Sequence, residues 1–488
     1  MNGSLVDEVV GAKLGDVRLN ERLVKIIEAF GARPNTSIPA AANSRAEMEA
    51  AYRFFSNSKV SPGAIGEPHR EATLERARQC EVLLLVQDTT EVDLTRPTQQ
   101  VFGAGPLDHE SRLGAYYHPL MAFNAEGLAL GTVWSKSWER EKIHSGRTAA
   151  EKMRYRRATP IEDKESMRWL EGVRQAKRVA QECPGATCVC IADSEADIYE
   201  LFAEPRLVGG RRELQLLIRA CQNRLLTDSD QHLLSAVRAT DCLYQCTVEI
   251  SSRKQKSQAQ TGKRKTTRDA RQATVEIRAT AVTLKPPTRF DRELPAIPIN
   301  VVLVEETNPP TGQVAIQWLL LTTLPVNHSM QVQRIVEYYC VRWQIEIYFR
   351  TLKSGCRIEE RYFERIGRLQ NCLAVYVIIA WRILYLCRLG RDCPDLDCEV
   401  IFSASEWKAV YTIVCRRPLP EKPPTLNEMV RMVASLGGYV IRAKTNPGTQ
   451  TLWLGLQRIH DLSNAWDTFG PGSGPSEIFF SPGAYVVR

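Results

Sequence analysis

The chain has 488 residues, of which 44% are hydrophobic, and its 64 basic and 56 acidic side chains give a net charge of +8. At about 150 residues per domain, this length predicts two to four domains. The charge excess is modest, so a polyanionic partner is indicated only where basic residues cluster. The fourteen cysteines form no pair of CxxC motifs, which argues against a structural zinc site.

The start of the chain and its most apolar run both bear on localisation. The segment MNGSLVDEVV has neither the basic nor the apolar region of a secretory signal, which predicts a cytosolic protein with reduced thiols. The run CLAVYVIIAWRILYLCRLG, which begins at Cys372, is interrupted by Arg382. It is therefore predicted to be a buried helix rather than a membrane span.

The first 70 residues carry two segments with helical apolar spacing, NERLVKIIEAFGARP and SRAEMEAAYRFFSN. The first segment ends at a glycine and a proline. The second has Ser44 as its predicted N-cap and Glu47 as the third residue of a capping box. Residues 1–70 are therefore predicted to form a helical domain.

Alternating strands and helices follow from residue 81. Two nearly continuous apolar segments, typical of strands buried on both faces, end at Asp88 in EVLLLVQDTTEVDL and at Asp193 in ATCVCIAD. YYHPLMAFN and LALGTVWSKSW are predicted to form a hairpin. KESMRWLEGVRQAKRVAQEC and SEADIYELFAE are predicted to be helices, and ELQLLIRA is predicted to be a strand. This order predicts an α/β fold with an aspartate at the end of its first and fourth strands.

Residues 222–326 interrupt this plan with alternating segments and several prolines, which predict a mostly β insertion. Within it, residues 253–271 hold eight basic side chains against one acid, including the consecutive Lys263, Arg264 and Lys265. Such a cluster is either a solvated hairpin tip or a surface that contacts phosphate, and its density favours the second interpretation.

The remainder of the chain, from residue 386, is mixed and mostly helical. The segment LNEMVRMVASLGGYVIR is predicted to be a helix stopped by Gly437 and Gly438. The predicted domains are thus residues 1–70, residues 71–385 and residues 386–488.

The segment YYCVRWQIEIYFRTLK, residues 338–353, mixes charged and bulky apolar side chains. At about 100° per residue, Tyr339, Arg342, Glu346 and Lys353 fall within one helical sector of roughly 60°. Trp343 and Ile347 are predicted to pack beside this charged stripe. The arc predicted to face solvent holds Gln333, Glu337, Gln344 and Thr351. A purely structural Arg–Glu pair at i, i+4 would give the same pattern, so the stripe alone leaves both interpretations open.

The two aspartates give the stripe a possible chemical role. Asp88 and Asp193, on what would be adjacent central strands, and Glu346 on a later helix can converge on one point. Three carboxylates around a gap suit hard divalent cations such as Mg²⁺. Two such ions about 4 Å apart clamp the attacking and leaving oxygens of a phosphodiester displacement.

With these residues identified, the sequence resembles the DDE transposases of bacterial insertion sequences, and more narrowly the family that includes the transposon-five enzyme. Its Tyr-x2-Arg-x3-Glu-x6-Lys signature is matched, with every gap correct, by Tyr339, Arg342, Glu346 and Lys353. VQDTT and ADSEADIY resemble its two Asp motifs, and AAYRF, QWLLLTT and SLGGY resemble further segments in the same order. The resemblance therefore covers nearly the whole chain, although the relative has Arg where this chain has Ser194.

The resemblance implies a ribonuclease-H-like catalytic core with a large β insertion, a helical N-terminal DNA-binding domain and a mostly helical C-terminal dimerisation domain. It implies that Asp88, Asp193 and Glu346 bind two Mg²⁺ ions, for which Mn²⁺ can substitute. Tyr339, Arg342 and Lys353 would contact phosphates near the transposon end. Further DNA contacts are implied at Arg219, at Arg224, at Arg53 in the N-terminal region, and at Trp318, which would receive a flipped base unless it is a core tryptophan.

The implied function is cut-and-paste transposition by two-metal hydrolysis, hairpin formation and strand transfer. Its partners would be double-stranded DNA, as terminal inverted repeats and target, and a second copy of the chain, in the cytoplasm of a bacterium at its nucleoid. One alternative is a DNA-binding inhibitor of transposition that has lost catalysis, which the three carboxylates argue against. A structure-selective ribonuclease-H-like nuclease without strand transfer is another.

Overall fold

The computed structural model describes residues 5–141, 148–204, 207–208, 211–212, 214–227, 230–250, 270–289, 292–442 and 445–471. Helices form its first part: a 3-10 turn Leu5–Glu8, α1 Val17–Ala32, α2 Ile38–Ala41, α3 Arg45–Phe55 and α4 Pro62–Ala77. The Ser44 hydroxyl accepts a hydrogen bond from the Glu47 amide at 3.2 Å, which confirms the predicted N-cap of α3.

The middle of the chain builds one large sheet. The first half of this region comprises β1 Val82–Gln87, β2 Thr90–Asp93, β3 Gly105–Pro106, β4 Leu113–Asn124, β5 Ala129–Trp138, α5 Ala149–Ala158, α6 Met167–Glu182, β6 Thr187–Ala192, α7 Tyr199–Ala203, β7 Leu207–Val208, β8 Arg211–Arg212 and β9 Leu214–Arg219. Strands β7 and β8 pair with each other in a separate two-stranded sheet. The predicted insertion then contributes α8 Leu233–Arg238, β10 Tyr244–Ile250, β11 Arg271–Leu284, β12 Ile297–Glu306 and β13 Gln317–Thr322.

Helices again follow the sheet: α9 Ser329–Val341, α10 Trp343–Arg350, α11 Ile366–Asp392, α12 Ala404–Cys415, α13 Leu426–Leu436 and α14 Thr449–Phe469. As predicted, α13 stops immediately before Gly437, and Gly438 adopts a positive φ of 93°. Among the described residues, α11 alone is long and apolar enough to cross a membrane, but 83% of its most apolar window is buried within the protein.

The strands lie in the order β10-β11-β12-β13-β9-β6-β1-β4-β2, with β3 and β5 also paired to β4. Strands β1, β6 and β9 are parallel neighbours, whereas the insertion strands pair antiparallel and extend the same sheet through the β13–β9 contact. This mixed sheet with flanking helices is the predicted ribonuclease-H-like α/β core. The insertion is therefore an extension of the core sheet rather than a separate layer.

Both faces of the central strands are buried, as their continuous apolar runs predict. Side chains alternate along a strand, so Leu84 and Val86 of β1 enter the core shared with α9, α10 and α11. Leu83 and Leu85 enter a second core that includes residues of α6 and α7. A third, smaller core joins the end of α11 to α12, α13 and α14.

Two local expectations differ from the structure. SEADIYELFAE forms a 3-10 turn, Ser194–Ala196, followed by the short α7 rather than one helix. The stripe segment is two helices that break at Arg342, and it continues into a π-turn at Thr351–Gly355. The proposed domain boundaries at residues 70 and 385 fall inside α4 and α11, so neither marks an interruption of the backbone structure.

Candidate active site

The register between β1 and β6 brings the two predicted aspartates side by side. The pairs Val82↔Thr187 and Val86↔Ile191 show a constant offset of 105 residues (187 − 82 and 191 − 86). The same offset places Asp88 beside Asp193, one residue beyond the end of each strand. Parallel neighbouring strands end at the same sheet edge, so both carboxylates lie at the edge where active sites of α/β folds form.

The strand that carries Asp88 is interrupted at that residue. Both β1 and β2 pair with β4 in one register, Gln87↔Leu120 before the interruption and Thr90↔Tyr117 after it. Pro119 stands opposite Asp88 in this register, and proline has no N–H to donate to a ladder. The interruption frees Asp88 from strand pairing and leaves its carboxylate to accept a 2.7 Å hydrogen bond from the Thr89 amide.

Burial and a neighbouring carboxylate together raise the pKa of one of the two aspartates. Burial first, and the charge of Asp193 second, raise the pKa of Asp88 to about 7, although the charge of Arg342 opposes both. Asp193 is fixed differently, since its Oδ1 accepts a hydrogen bond from the Glu195 amide at 2.9 Å. A carboxylate pair of this kind is poised to take up a cation.

Arg342 joins the third predicted carboxylate to the first. Its guanidinium donates to Asp88 Oδ2 at 3.2 Å and to Glu346 Oε1 at 2.8 Å. The Arg342 side chain is only 5% exposed, and it lies 4.5 Å from the Trp343 ring centroid. The Arg–Glu pair that could have been purely structural therefore also reaches the first aspartate.

A single continuous helix would place Tyr339 and Lys353 in the same charged sector. In the structure they lie in two different environments. Tyr339 is buried, with its ring edge-on to Trp318 at 5.6 Å between centroids, and burial raises the pKa of its hydroxyl. Lys353 lies in the π-turn and approaches Glu359 at 3.5 Å.

One assignment on this segment is wrong and another holds only in part. Trp343, predicted to pack beside the stripe, has its ring centroid 4.5 Å from the Arg342 guanidinium, but it is 44% exposed. Thr351, predicted to face solvent, is fully buried, and its hydroxyl donates to the Ile347 carbonyl at 2.9 Å. Both differences arise because the break at Arg342 and the following π-turn rotate side chains away from a uniform 100° progression.

The remaining predicted DNA contacts divide into exposed and occupied side chains. Arg53 is exposed on α3, and Arg219 at the end of β9 is half-buried with a 3.4 Å hydrogen bond to the Gln317 carbonyl. Arg224 is instead held by the buried Asp197, and its side chain is only 10% exposed. Lys263, Arg264 and Lys265 lie outside the described residues.

Sequence reasoning missed a polar network beside Asp88. Arg168 on α6 donates to the Thr89 hydroxyl at 2.8 Å, and the same hydroxyl lies 2.8 Å from His118 Nδ1. His118 Nε2 in turn lies 3.1 Å from Gln87 Oε1. The available signal was the pair of polar residues that flanks Asp88 in a strand otherwise apolar, QDT in the sequence.

The three predicted metal ligands are all carboxylates, and this chemistry decides which metal ions they suit. Carboxylate oxygens are the ligands that hard divalent cations prefer, and two of the three predicted ligands, Asp88 and Glu346, already share one positive charge, the Arg342 guanidinium. Among the described residues, no three His, Cys, Asp or Glu side chains are arranged to share a metal ion as they stand. The residues therefore fit a divalent metal by type, while Arg342 holds Asp88 and Glu346 to itself.

Three family models match the chain in succession. The transposase DNA-binding model matches residues 1–60, the transposase DDE domain model matches residues 173–381, and the Tn5 transposase dimerisation domain model matches residues 378–466. Asp193 and Glu346 lie within the DDE match, and Asp88 precedes it. The chain therefore belongs to the Tn5-like DDE transposases, metal-dependent enzymes that cleave DNA and join its strands.

A solved structure also resembles the chain, the cryo-EM structure of a piggyBac transposase synaptic complex with hairpin DNA. The sequences are 10% identical, the match covers 80% of this chain and 73% of that one, and the TM-score is 0.35. A likeness this slight adds nothing to the fold assignment.

Proposed function

We propose that this transposase moves its element by a cut-and-paste reaction, with Asp88, Asp193 and Glu346 as ligands of two Mg²⁺ ions. The observation that carries the proposal is the placement of Asp88 beside Asp193 by strand register, with Glu346 joined to Asp88 through Arg342. When bound, such ions activate the attacking oxygen and stabilise the leaving one. The raised pKa of Asp88 fits a site that needs a cation to keep both aspartates ionised.

The basic side chains of the site have a matching role. Arg342 is occupied by Asp88 and Glu346 while the carboxylates lack another counter-charge. With a divalent cation held by those carboxylates, the Arg342 guanidinium would be available to pair with a DNA phosphate, as arginine does in a bidentate manner. Lys353, which is half-buried, would neutralise a neighbouring phosphate.

The proposed reaction begins with hydrolysis of one strand at the transposon end, which leaves a 3′-OH. That hydroxyl attacks the phosphodiester of the opposite strand, which forms a hairpin on the transposon end and releases the flanking DNA with a 3′-OH. Water then hydrolyses the hairpin phosphodiester, and the regenerated 3′-OH attacks a phosphodiester of target DNA, releasing a 3′-OH of the target. Trp318 is the proposed acceptor of the base displaced by the hairpin turn, because its ring is only partly buried at the start of β13 and rests on Tyr339.

We further propose that the active species is a homodimer on two inverted repeats in the cytoplasm of a bacterium, at its nucleoid. The dimerisation-domain match over residues 378–466 supports the dimer. Retention of all three carboxylates disfavours a catalytically inactive regulator.

Hairpin formation has a direct test. The DNA that flanks the gene supplies the terminal repeat as an oligonucleotide, and its products are separated on a denaturing gel in the presence of Mg²⁺. Wild type should yield a nicked strand and then a hairpin of twice the length, whereas Trp318→Ala should accumulate the nick. Trp318→Phe, which keeps an aromatic ring at the same place on β13, is the matched control and should still form the hairpin. Joining of DNA without any hairpin intermediate would overturn the hairpin step.

A further inference from the structure

We propose that Arg168 is a positioning residue that holds the loops of Asp88 and Asp193 at the separation the metal ligands require. This inference rests on the proposed function, because it assigns Arg168 to the same metal site. Arg168 lies on α6, outside both strands that carry the aspartates and outside the stripe segment.

One guanidinium contacts both aspartate loops. Arg168 Nε donates to Thr89 Oγ1 at 2.8 Å, and Arg168 Nη2 donates to Glu195 Oε2 at 2.9 Å. The amide of Thr89 binds Asp88 Oδ1, and the amide of Glu195 binds Asp193 Oδ1. Arg168 therefore contacts Thr89 and Glu195, the two residues whose backbone amides orient the aspartate carboxylates.

The guanidinium is itself fixed in place. Its centre lies 5.5 Å from the Trp138 ring centroid and 5.3 Å from the Trp169 ring centroid, and Nη1 donates to the Glu165 carbonyl at 2.9 Å. The side chain is only 12% exposed. Because stacking and hydrogen bonds hold the group before any ligand arrives, little conformational entropy is lost when the site binds a cation.

The Thr89 hydroxyl accepts a hydrogen bond from Arg168 and donates one to His118, so the donors of this network follow a fixed order. Since it accepts from Arg168, its proton points to His118 Nδ1 at 2.8 Å, and His118 Nε2 donates to Gln87 Oε1 at 3.1 Å. Gln87 Nε2 then donates to Cys190 Sγ at 3.4 Å. This chain of donors links the Asp88 loop through β4 and β1 to β6, the strand that ends at Asp193.

Lysine could supply the charge of Arg168 but not its geometry. The two hydrogen bonds need two nitrogens of one planar group, one directed at Thr89 and one at Glu195. An ammonium group is a single point of charge. If Arg168 acts through geometry, Arg168→Lys should weaken metal binding. If it contributes only charge or packing, Arg168→Lys should be nearly neutral.

The experiment measures Mn²⁺ binding by the full chain without DNA, through the loss of the free Mn²⁺ electron paramagnetic resonance signal. Arg168→Lys should lower the affinity by about tenfold or more, the range typical of groups that orient metal ligands. Arg174→Lys is the matched control, because Arg174 also lies on α6 and pairs with a glutamate, Glu204, at 2.8 Å. It should bind Mn²⁺ as wild type does.

Thr89 supplies a second test that leaves Arg168 intact. Thr89→Val should repeat the loss of affinity, and Thr89→Ser, which keeps the hydroxyl, should restore it. Wild-type affinity in both Arg168→Lys and Thr89→Val would overturn the inference, as would an equal loss in Arg174→Lys or a wild-type chain that binds no Mn²⁺. If these affinities change as expected while wild type nicks no terminal repeat, the inference stands and the proposed function fails.

Discussion

The charge balance among Asp88, Asp193 and Arg342 decides the chemistry of the site at the scale of single residues. Arg342 lies within 3.2 Å of Asp88 Oδ2 yet does not keep the pKa of that carboxyl low, because burial and Asp193 together outweigh it. The folded protein therefore holds an ionised Asp88 at a cost that a bound cation would relieve. Mutation of Asp88, a proposed metal ligand, should therefore raise the stability of the metal-free protein while it removes activity.

Asp88→Asn should stabilise the metal-free protein at pH 8. The pKa of Asp88 is raised from 3.8 to about 7 in the folded state, so its ionisation lowers the free energy of unfolding as pH rises between those values. The expected gain at pH 8 is on the order of 2 kcal/mol, shrinking as pH falls toward 4. Thermal unfolding in chelator measures it.

Asp93→Asn is the control with the opposite sign. Although burial opposes ionisation, hydrogen bonds from Thr95 and Arg112 hold the pKa of Asp93 below its usual value. Its ionised form therefore stabilises the fold above the unfolded pKa, and its loss should lower the melting temperature at pH 8. A lower melting temperature for Asp88→Asn at pH 8 would contradict the account of the site.

The 3-10 turn Leu5–Glu8 shows, at the scale of elements, how the N-terminal region is fastened to the sheet. Glu8 lies buried between His69 and Arg76 of α4, and His69 Nε2 accepts a hydrogen bond from the Thr132 amide of β5. Because that acceptor nitrogen carries no proton, His69 is neutral and donates from Nδ1 to Glu8. Three elements thus meet at one buried carboxylate.

Glu8→Gln should lower the free energy of unfolding by about 3 kcal/mol, because it leaves Arg76 without its buried counter-charge. Against the opposing effect of burial, His69 and Arg76 lower the pKa of Glu8 to about 2. Its contribution is complete above the usual value of 4.5 and is lost only as pH falls toward 2. Urea denaturation should therefore show the same deficit at pH 6 and pH 8.

Glu49→Gln is the comparison variant, since Glu49 pairs with the exposed Arg45 and should contribute less than about 1 kcal/mol. Equal deficits for Glu8→Gln and Glu49→Gln would show that the buried cluster does not fasten the N-terminal region.

Sequence patterns predicted the elements whose signals are local. The apolar runs that end at Asp88 and Asp193 were strands because continuous hydrophobicity over so few residues suits a sheet covered on both faces. The burial of Thr351 and the exposure of Trp343 were missed because a helical period assumes an unbroken helix. The ion pair of Arg224 with Asp197 and the contacts of Arg168 with Thr89 and Glu195 were missed because they join residues distant along the chain.

The distribution of charge governs DNA binding at the scale of the whole molecule. Many described arginines are already paired with carboxylates, such as Arg174 with Glu204, Arg238 with Glu305 and Arg278 with Glu276. Basic residues outside such pairs should supply most of the contacts with phosphate. Lys263, Arg264 and Lys265 are the densest predicted group.

Binding of terminal-repeat DNA should weaken steeply as salt rises from about 50 to 200 mM, because each neutralised phosphate releases counterions. Changing Lys263, Arg264 and Lys265 together to Gln should reduce the slope of log K against log salt by about two to three. The triple change of Arg174, Arg238 and Arg278 to Gln should leave the slope nearly unchanged. Fluorescence anisotropy measures both, and equal slopes for the Lys263 group variant and wild type would remove this surface from the DNA interface.

Asp88, Asp193 and Glu346 should act together as one metal-dependent nuclease centre. Nicking of a labelled terminal-repeat oligonucleotide can be measured for wild type and for Asp193→Ala, each with Mg²⁺ and with chelator, with Asp241→Ala, which removes an exposed aspartate of the insertion, as control. Wild type should nick the DNA only with Mg²⁺, Asp193→Ala should lose at least about 10³-fold of this activity, and Asp241→Ala should retain it. Nicking that survives in Asp193→Ala, or that proceeds in chelator, would contradict a metal-dependent centre built on these carboxylates.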